Sequence, residues 1–163
     1  MKASNVNWKQ LIISIIVCQI PGILGGFITV SSIPTWYAYL EKPALVPPNW
    51  SFSIVWTLLY LLMGIAFYIV WQKGWSVSQV KTAMSIFIVQ LFFNFIWSYL
   101  FFGLQSPRLG LVGITLLWIL IVVNIIQFYR ISRPAGVLLA PYIIWVSFAA
   151  YLNYEIMILN PVM

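Results

Sequence analysis

Five apolar stretches, each about as long as a bilayer is thick, limit what this chain can fold into more than any other feature. They run roughly over residues 8–30, 50–72, 77–102, 109–129 and 136–159, and a hydrocarbon core needs about 20 mostly apolar residues per helix. Lipid offers backbone amides no partner, so each stretch must satisfy its own hydrogen bonds as a helix. The expected fold class is therefore an all-α integral membrane protein, with residues 1–163 forming one bundle of five transmembrane helices. Composition agrees: 63 % of residues are hydrophobic and 6 % are charged, far from a soluble domain. Breaks fall at Pro34 and Pro43, Lys73-Gly74, Gly103 with Pro107, and Arg133-Pro134. Only the first connection is long. The other three are tight, so helices two to five are expected to pack as successive antiparallel neighbours.

An odd number of spans puts the termini on opposite sides. Lys2, Lys9, Lys73, Lys81, Arg130 and Arg133 fall on the N-terminal side, and Lys42 and Arg108 on the other. The positive-inside rule then predicts a cytoplasmic N-terminus and an external C-terminus, in a multi-pass protein expected in the plasma membrane. The first apolar run lacks a small-residue cleavage signature and continues into Pro21-Gly22, so it reads as a retained helix and not as a signal peptide. No repeat of fixed period appears, which disfavours an inverted-repeat transporter. The single basic residues at segment ends do not make a nucleic-acid surface.

Histidine is absent, cysteine occurs once (Cys18), and the only carboxylates are Glu41 and Glu155. A metal site, a Ser-His-Asp triad and a carboxylate pair for acid–base hydrolysis are all excluded by that inventory. What remains is aromatic surface: nine Trp, nine Tyr and eleven Phe. Trp8, Trp71 and Trp75 lie at span ends, where indoles anchor helices at the interface, and Trp118 suits lipid contact or packing.

Other polar and aromatic residues recur at helical spacing. On the second span Trp50, Ser53, Thr57, Tyr60 and Gly64 share a face. On the third, Gln90, Asn94 and Trp97 do so, with Ser98 beside them; on the fifth, Trp145, Ala149 and Asn153 follow Tyr142. Amides within a bilayer need partners, so these faces are expected to point into the bundle. For Asn94 alone, plain interhelical hydrogen bonding explains the residue equally well. Together, the three faces suggest a cavity for a flat, mostly apolar ligand. Pro21 and Pro141 fall within the first and fifth spans, where each frees a carbonyl. Gly22 and Gly26 form a small-xxx-small pair, readable as close packing, dimerisation or room for a ligand. The connection after the first span carries Trp36, Glu41-Lys42, Pro43, Pro47 and Pro48. A proline-stiffened polar loop feeding an aromatic helix face is expected to act as a lid.

The order Trp36-Tyr37, Leu40-Glu41-Lys42-Pro43, Pro47-Pro48-Asn49-Trp50, Trp56 and Leu59-Tyr60 resembles the TspO/MBR family of tryptophan-rich sensory and translocator proteins. Two further blocks carry the resemblance over nearly the whole chain: Gln90-Leu91, Asn94, Trp97 and Phe101-Phe102-Gly103, then Pro141-Tyr142, Trp145, Phe148-Ala149 and Leu152-Asn153. The resemblance implies a five-helix bundle, often homodimeric, with a pocket under the first loop for porphyrins and synthetic isoquinoline or benzodiazepine ligands. It places Trp50, Asn94, Trp97, Trp145, Ala149 and Leu152 in that pocket. It also implies light-dependent breakdown of protoporphyrin IX in some relatives, with Trp50 and Trp145 as the indoles concerned. No cofactor is implied; a porphyrin, protoporphyrin IX or haem, would be ligand or substrate. The chain departs from the family pattern at Leu45, where many relatives carry Trp, and at Leu109, where some do. Asn153-Tyr154-Glu155 also lacks the basic residue of the sterol motif.

Three functions follow as expectations. The first is a membrane receptor or sensor for tetrapyrroles, in which Lys42 is the nearest counter-charge for a ligand carboxylate. The second is photo-oxidative degradation, which needs no acid–base set. The third is a small-molecule transporter of tetrapyrroles, sterols or drugs. It ranks last because proton-coupled export calls for a mid-membrane carboxylate, and Glu155 lies late in its span.

Overall fold

The computed structural model describes residues 6–161; Lys2, counted above for topology, lies outside them. Each apolar stretch becomes a helix long enough to cross a membrane, five such spans among the described residues. Helix α1 runs over Trp8–Ser32, and the Asn7 side chain accepts from the Gln10 amide at its start (3.2 Å). Helix α2 covers Asn49–Trp71 and begins directly after Pro47-Pro48, whose rings cannot donate to a preceding turn. Helix α3, Ser78–Ser98, continues through a wide π turn at Tyr99–Gly103. Helix α4, Pro107–Ile131, is capped by Ser106, which accepts from the Leu109 amide, with proline in the first turn.

The fifth span is broken. A short α5, Arg133–Leu138, meets α6, Ala140–Leu159, at Leu139. Pro141 was expected inside a helix, yet it sits in the first turn of α6, where a backbone N–H has no helical partner to lose. Pro21, by contrast, is buried within α1 as expected.

The helices do not pack in chain order. Helix α1 lies against both α2 and α3, α3 against α4, and α4 against α5 and α6, while α2 closes the ring on α5. Helices α2 and α3, although joined by a tight connection, touch only sparsely. The expectation of successive antiparallel neighbours therefore fails at this pair. Glycines explain why: a Cβ on Gly64 of α2 would come within 2.8 Å of the Ile15 Cα, and one on Gly25 of α1 within 2.9 Å of the Ser98 hydroxyl of α3. Bare backbone at these points lets α1 wedge between the two helices. At the end where α2 leads into α3, Phe67, Phe87 and Phe128 pack ring on ring at 5.2 Å and tie α2, α3 and α4 together. At the opposite end, Asn153 of α6 donates to the Pro107 carbonyl (2.7 Å) and accepts from the Trp97 indole (3.3 Å).

The connection over 33–48 contains one short 3-10 turn, Tyr37–Tyr39, and folds over this same end of the bundle. Trp36 sits edge-on to Phe101 (5.5 Å) and Tyr37 packs on Phe102 (5.6 Å). Asn160, just beyond α6, accepts from the Glu41 amide (3.1 Å) and donates to the Glu41 carbonyl (3.0 Å). One side chain thus pairs with the loop backbone as a strand would, fastening the lid to the end of α6.

Candidate ligand-binding site

Beneath that loop lies a cavity of about 270 Å³, walled by α1, α2 and α3. Phe52, Trp56 and Tyr60 recur every fourth residue on α2 and form its aromatic side. Trp56 stacks on Tyr60 (5.5 Å, 28°) and lies 6.0 Å from the Trp97 ring of α3. Pro21, Gly22 and Gly26 of α1 make the facing wall, and Ile33 and Tyr37 come from the lid. A Cβ on Gly22 would run into the Tyr60 ring, so only glycine lets α1 approach there.

The floor is polar. The Tyr60 hydroxyl donates to Asn94 Oδ1 (2.5 Å), and Asn94 Nδ2 donates to the Tyr142 hydroxyl (2.8 Å), which also accepts from Gln90 Nε2 (2.5 Å). Asn94 is 1 % exposed, so its amide is satisfied by protein alone and holds Tyr60 and Tyr142 in fixed rotamers. Thr57 and Thr29 return their hydroxyl protons to their own helices, at the Ser53 and Gly25 carbonyls. That leaves hydroxyl lone pairs in the cavity. Apart from Tyr60 and Tyr37, no lining residue is ionisable. Such a site suits a flat, largely uncharged aromatic molecule with a few hydrogen-bonding edge groups.

Of the residues expected at the site, Gly22, Gly26, Ser53, Thr57, Tyr60, Asn94 and Trp97 line the cavity. The others do not, and the reasons are geometric. Trp50 is two residues from Phe52, about 200° around the helix, and points outward with 68 % of its surface exposed. Tyr142, Ala149 and Leu152 are buried in the bundle, set back from the cavity lining. The rings of Trp56 and Trp97 reach toward them, Trp56 edge-on to Tyr142 (6.2 Å) and Trp97 through its bond to Asn153. Trp145 lies in a separate shallow groove between α2 and the fifth span, against Phe52 (5.7 Å) and Phe148. Its indole N–H is buried without a partner among the described residues.

In the lid, Lys42 does not face the cavity. Its ammonium donates to the Ala38 and Leu40 carbonyls (3.3 and 3.0 Å) and stands 4.9 Å over the Tyr37 ring. To serve as the expected counter-charge for a ligand carboxylate, Lys42 would have to leave these loop carbonyls. Trp36, Pro47 and Pro48 also lie outside the lining and shape the loop from behind.

Sequence reasoning missed Trp56, Phe52 and Gln19 as lining residues. The signal for Trp56 was present. From Ser53, steps of three and of four both stay on one helix face, and following the step of four selected Thr57 over the indole beside it.

Comparison with known proteins bears on the same residues. The model of the TspO/MBR family matches residues 14–159. A tryptophan-rich protein TspO of Archaeoglobus fulgidus is 47 % identical, over 95 % of this chain and 99 % of the relative. The tryptophan-rich sensory protein of Cereibacter sphaeroides is 33 % identical over 96 % of this chain and 94 % of the relative. The translocator protein of Sus scrofa is 34 % identical over 80 % of each chain.

Proposed function

The chain belongs to the TspO/MBR family, and from that premise we propose that it is a membrane receptor binding porphyrins, protoporphyrin IX first among them, in the cavity between α1, α2 and α3. The observation that carries this reading is the aromatic wall of Phe52, Trp56 and Trp97 over the Tyr60–Asn94 floor. Rings on one side and glycines on the other leave a slot suited to a planar macrocycle, and stacking supplies attraction without any charge. Relatives named sensory and translocator proteins fit the same reading, since a sensor and a carrier both need such a site.

Light-dependent loss of the bound porphyrin is a second activity this site could support. Trp50 and Trp145 were the indoles first expected to take part, but Trp56 and Trp97 are the ones that line the cavity. In that reaction dioxygen, activated by the light-excited porphyrin, is the oxidant and is reduced as the ring is oxidised; we assign the role of nearby indoles to Trp56 and Trp97, with Trp145 behind Phe52. Transport in place of sensing remains the alternative function. A homodimer in the plasma membrane belongs to the proposal as well. Lys9, Lys73, Lys81, Arg130 and Arg133 would face the cytoplasm, with the lid outside.

The test is a titration in the dark of the purified protein in lipid nanodiscs with protoporphyrin IX, following tryptophan fluorescence. Saturable quenching at one porphyrin per chain, weakened when Trp97 is replaced by Phe, is expected. Quenching that stays linear with concentration would refute porphyrin binding.

A further inference from the structure

Successive rungs between α1 and α2 separate toward the lid end. At the first, Gly64 meets the Ile15 backbone; at the second, Tyr60 meets Gly22. One turn further along α1, a Cβ added to Gly26 would touch nothing within 4 Å. Opposite that point Ser53 and Thr57 line the cavity and are nevertheless exposed, and Ile23 of α1 does the same at 57 % exposure. The cavity therefore opens sideways, between the lid-side halves of α1 and α2, into the region that lipid tails occupy. Its volume of about 270 Å³ is at or below the small end of ligand pockets, which span roughly 300–1,000 Å³. A macrocycle seated on Trp56 and Trp97 must extend through that opening.

Gln19 stands at the lower lip. It shares a face of α1 with Ile15, Gly22 and Gly26 at steps of four, three and four, and it lines the cavity near the midpoint of a 25-residue helix. Gln90 of α3 donates to Tyr142, and Gln10 near the start of α1 pairs with Gln72. Gln19 has no side-chain hydrogen-bond partner among the described residues. A primary amide at mid-membrane depth is costly unless something outside the helix pairs with it. Its two N–H donors and one carbonyl match a carboxylic acid, which presents one acceptor and one donor in the same plane. Burial at that depth favours the neutral form of a ligand carboxyl.

We propose that ligands reach the site from the bilayer through the α1–α2 opening, and that the Gln19 amide recognises a neutral carboxyl group on the ligand edge. The inference rests on the porphyrin reading above and adds to it the route and the edge group that is read.

The experiment compares two ligands in nanodiscs: protoporphyrin IX, and etioporphyrin, which has a similar ring without carboxyl groups. Wild type is set against Gln19→Met, which keeps the side-chain length and loses the amide. Gln19→Leu serves as a second variant should the first unfold. The expected result is a roughly 2- to 12-fold loss of affinity for protoporphyrin IX, the worth of one net hydrogen bond, with etioporphyrin unchanged. Equal effects on both porphyrins, or none on either, would overturn the role of Gln19 while leaving porphyrin binding in place. If wild type binds neither porphyrin, the receptor reading itself is refuted and this inference goes with it. The route has its own test in Gly26→Leu, which places a bulky side chain at the opening where an added Cβ meets nothing within 4 Å. Association from porphyrin-loaded vesicles should slow several-fold at unchanged melting temperature, and an unaltered rate would refute the lateral route.

Discussion

Removing the Asn94 amide should reveal how tightly the cavity floor is coupled. In Asn94→Leu the branched four-heavy-atom shape of the side chain is kept, so the cost is mainly polar. Tyr142 retains its bond from Gln90 (2.5 Å), whereas the Tyr60 hydroxyl loses its only acceptor. One buried hydroxyl left unpaired costs about 1–3 kcal/mol. For a chain of this length that lowers the melting temperature by about 2–4 °C per kcal/mol. Tyr60→Phe should cost about 1–3 kcal/mol as well, since it removes the donor and strands the buried Asn94 oxygen. In the double variant both partners are gone and neither is stranded. Its loss should therefore fall short of the sum of the singles by roughly 0.6–1.7 kcal/mol, the range found for interhelical hydrogen bonds in membranes. The assay is reversible unfolding in detergent for all four proteins of the cycle. A sum obeyed to within about 0.3 kcal/mol would refute the claim that Tyr60 and Asn94 act as a unit.

Other substitutions test separate parts of the structure. Asn124 of α4 is 1 % exposed and both its amide atoms lack partners among the described residues; Asn124→Leu should therefore stabilise the fold by about 1 kcal/mol, read as a raised melting temperature, and a lowered one would contradict this. Asn160→Ala removes both bonds to the Glu41 backbone, so bound porphyrin should dissociate several-fold faster at little cost in stability; an unchanged off-rate would show that the lid does not limit release. Gly64→Val places a side chain against the Ile15 backbone and should destabilise by about 1–3 kcal/mol, whereas the same change at Gly26 should be tolerated. Equal tolerance at both positions would argue against the wedge of α1 between α2 and α3.

The spans were legible because bilayer thickness sets their length, and Pro47-Pro48 and Ser106-Pro107 mark helix starts by local chemistry. Asn94, Tyr60 and Trp97 were legible for a related reason: polar tips at membrane depth must face protein. Neighbour order around the ring was not. Short connections suggested that α2 and α3 pack together, while the glycines that admit α1 between them carry no hydropathy signal. Helix rotation was also poorly determined. Hydrophobic residues cover every side of a membrane helix, so Trp50 and Trp56 could each be taken as inward-facing, and tertiary packing chose Trp56. On α6, Trp145 and Ala149 keep the expected spacing, but Trp56 and Trp97 stand in front of that helix. The Asn160 latch pairs residues 119 apart in sequence, beyond the reach of any local pattern.

The most direct test of the central claim, a porphyrin site walled by α1, α2 and α3, is a fluorine NMR measurement. The protein, with its nine tryptophans carrying 5-fluoro labels, would be titrated with copper(II) protoporphyrin IX, whose unpaired electron broadens nearby signals steeply with distance. Trp56 and Trp97 should broaden first and most, Trp145 less, and Trp50 less again. Broadening of Trp145 and Trp50 ahead of Trp56 and Trp97 would place the ligand on the fifth span and contradict the account.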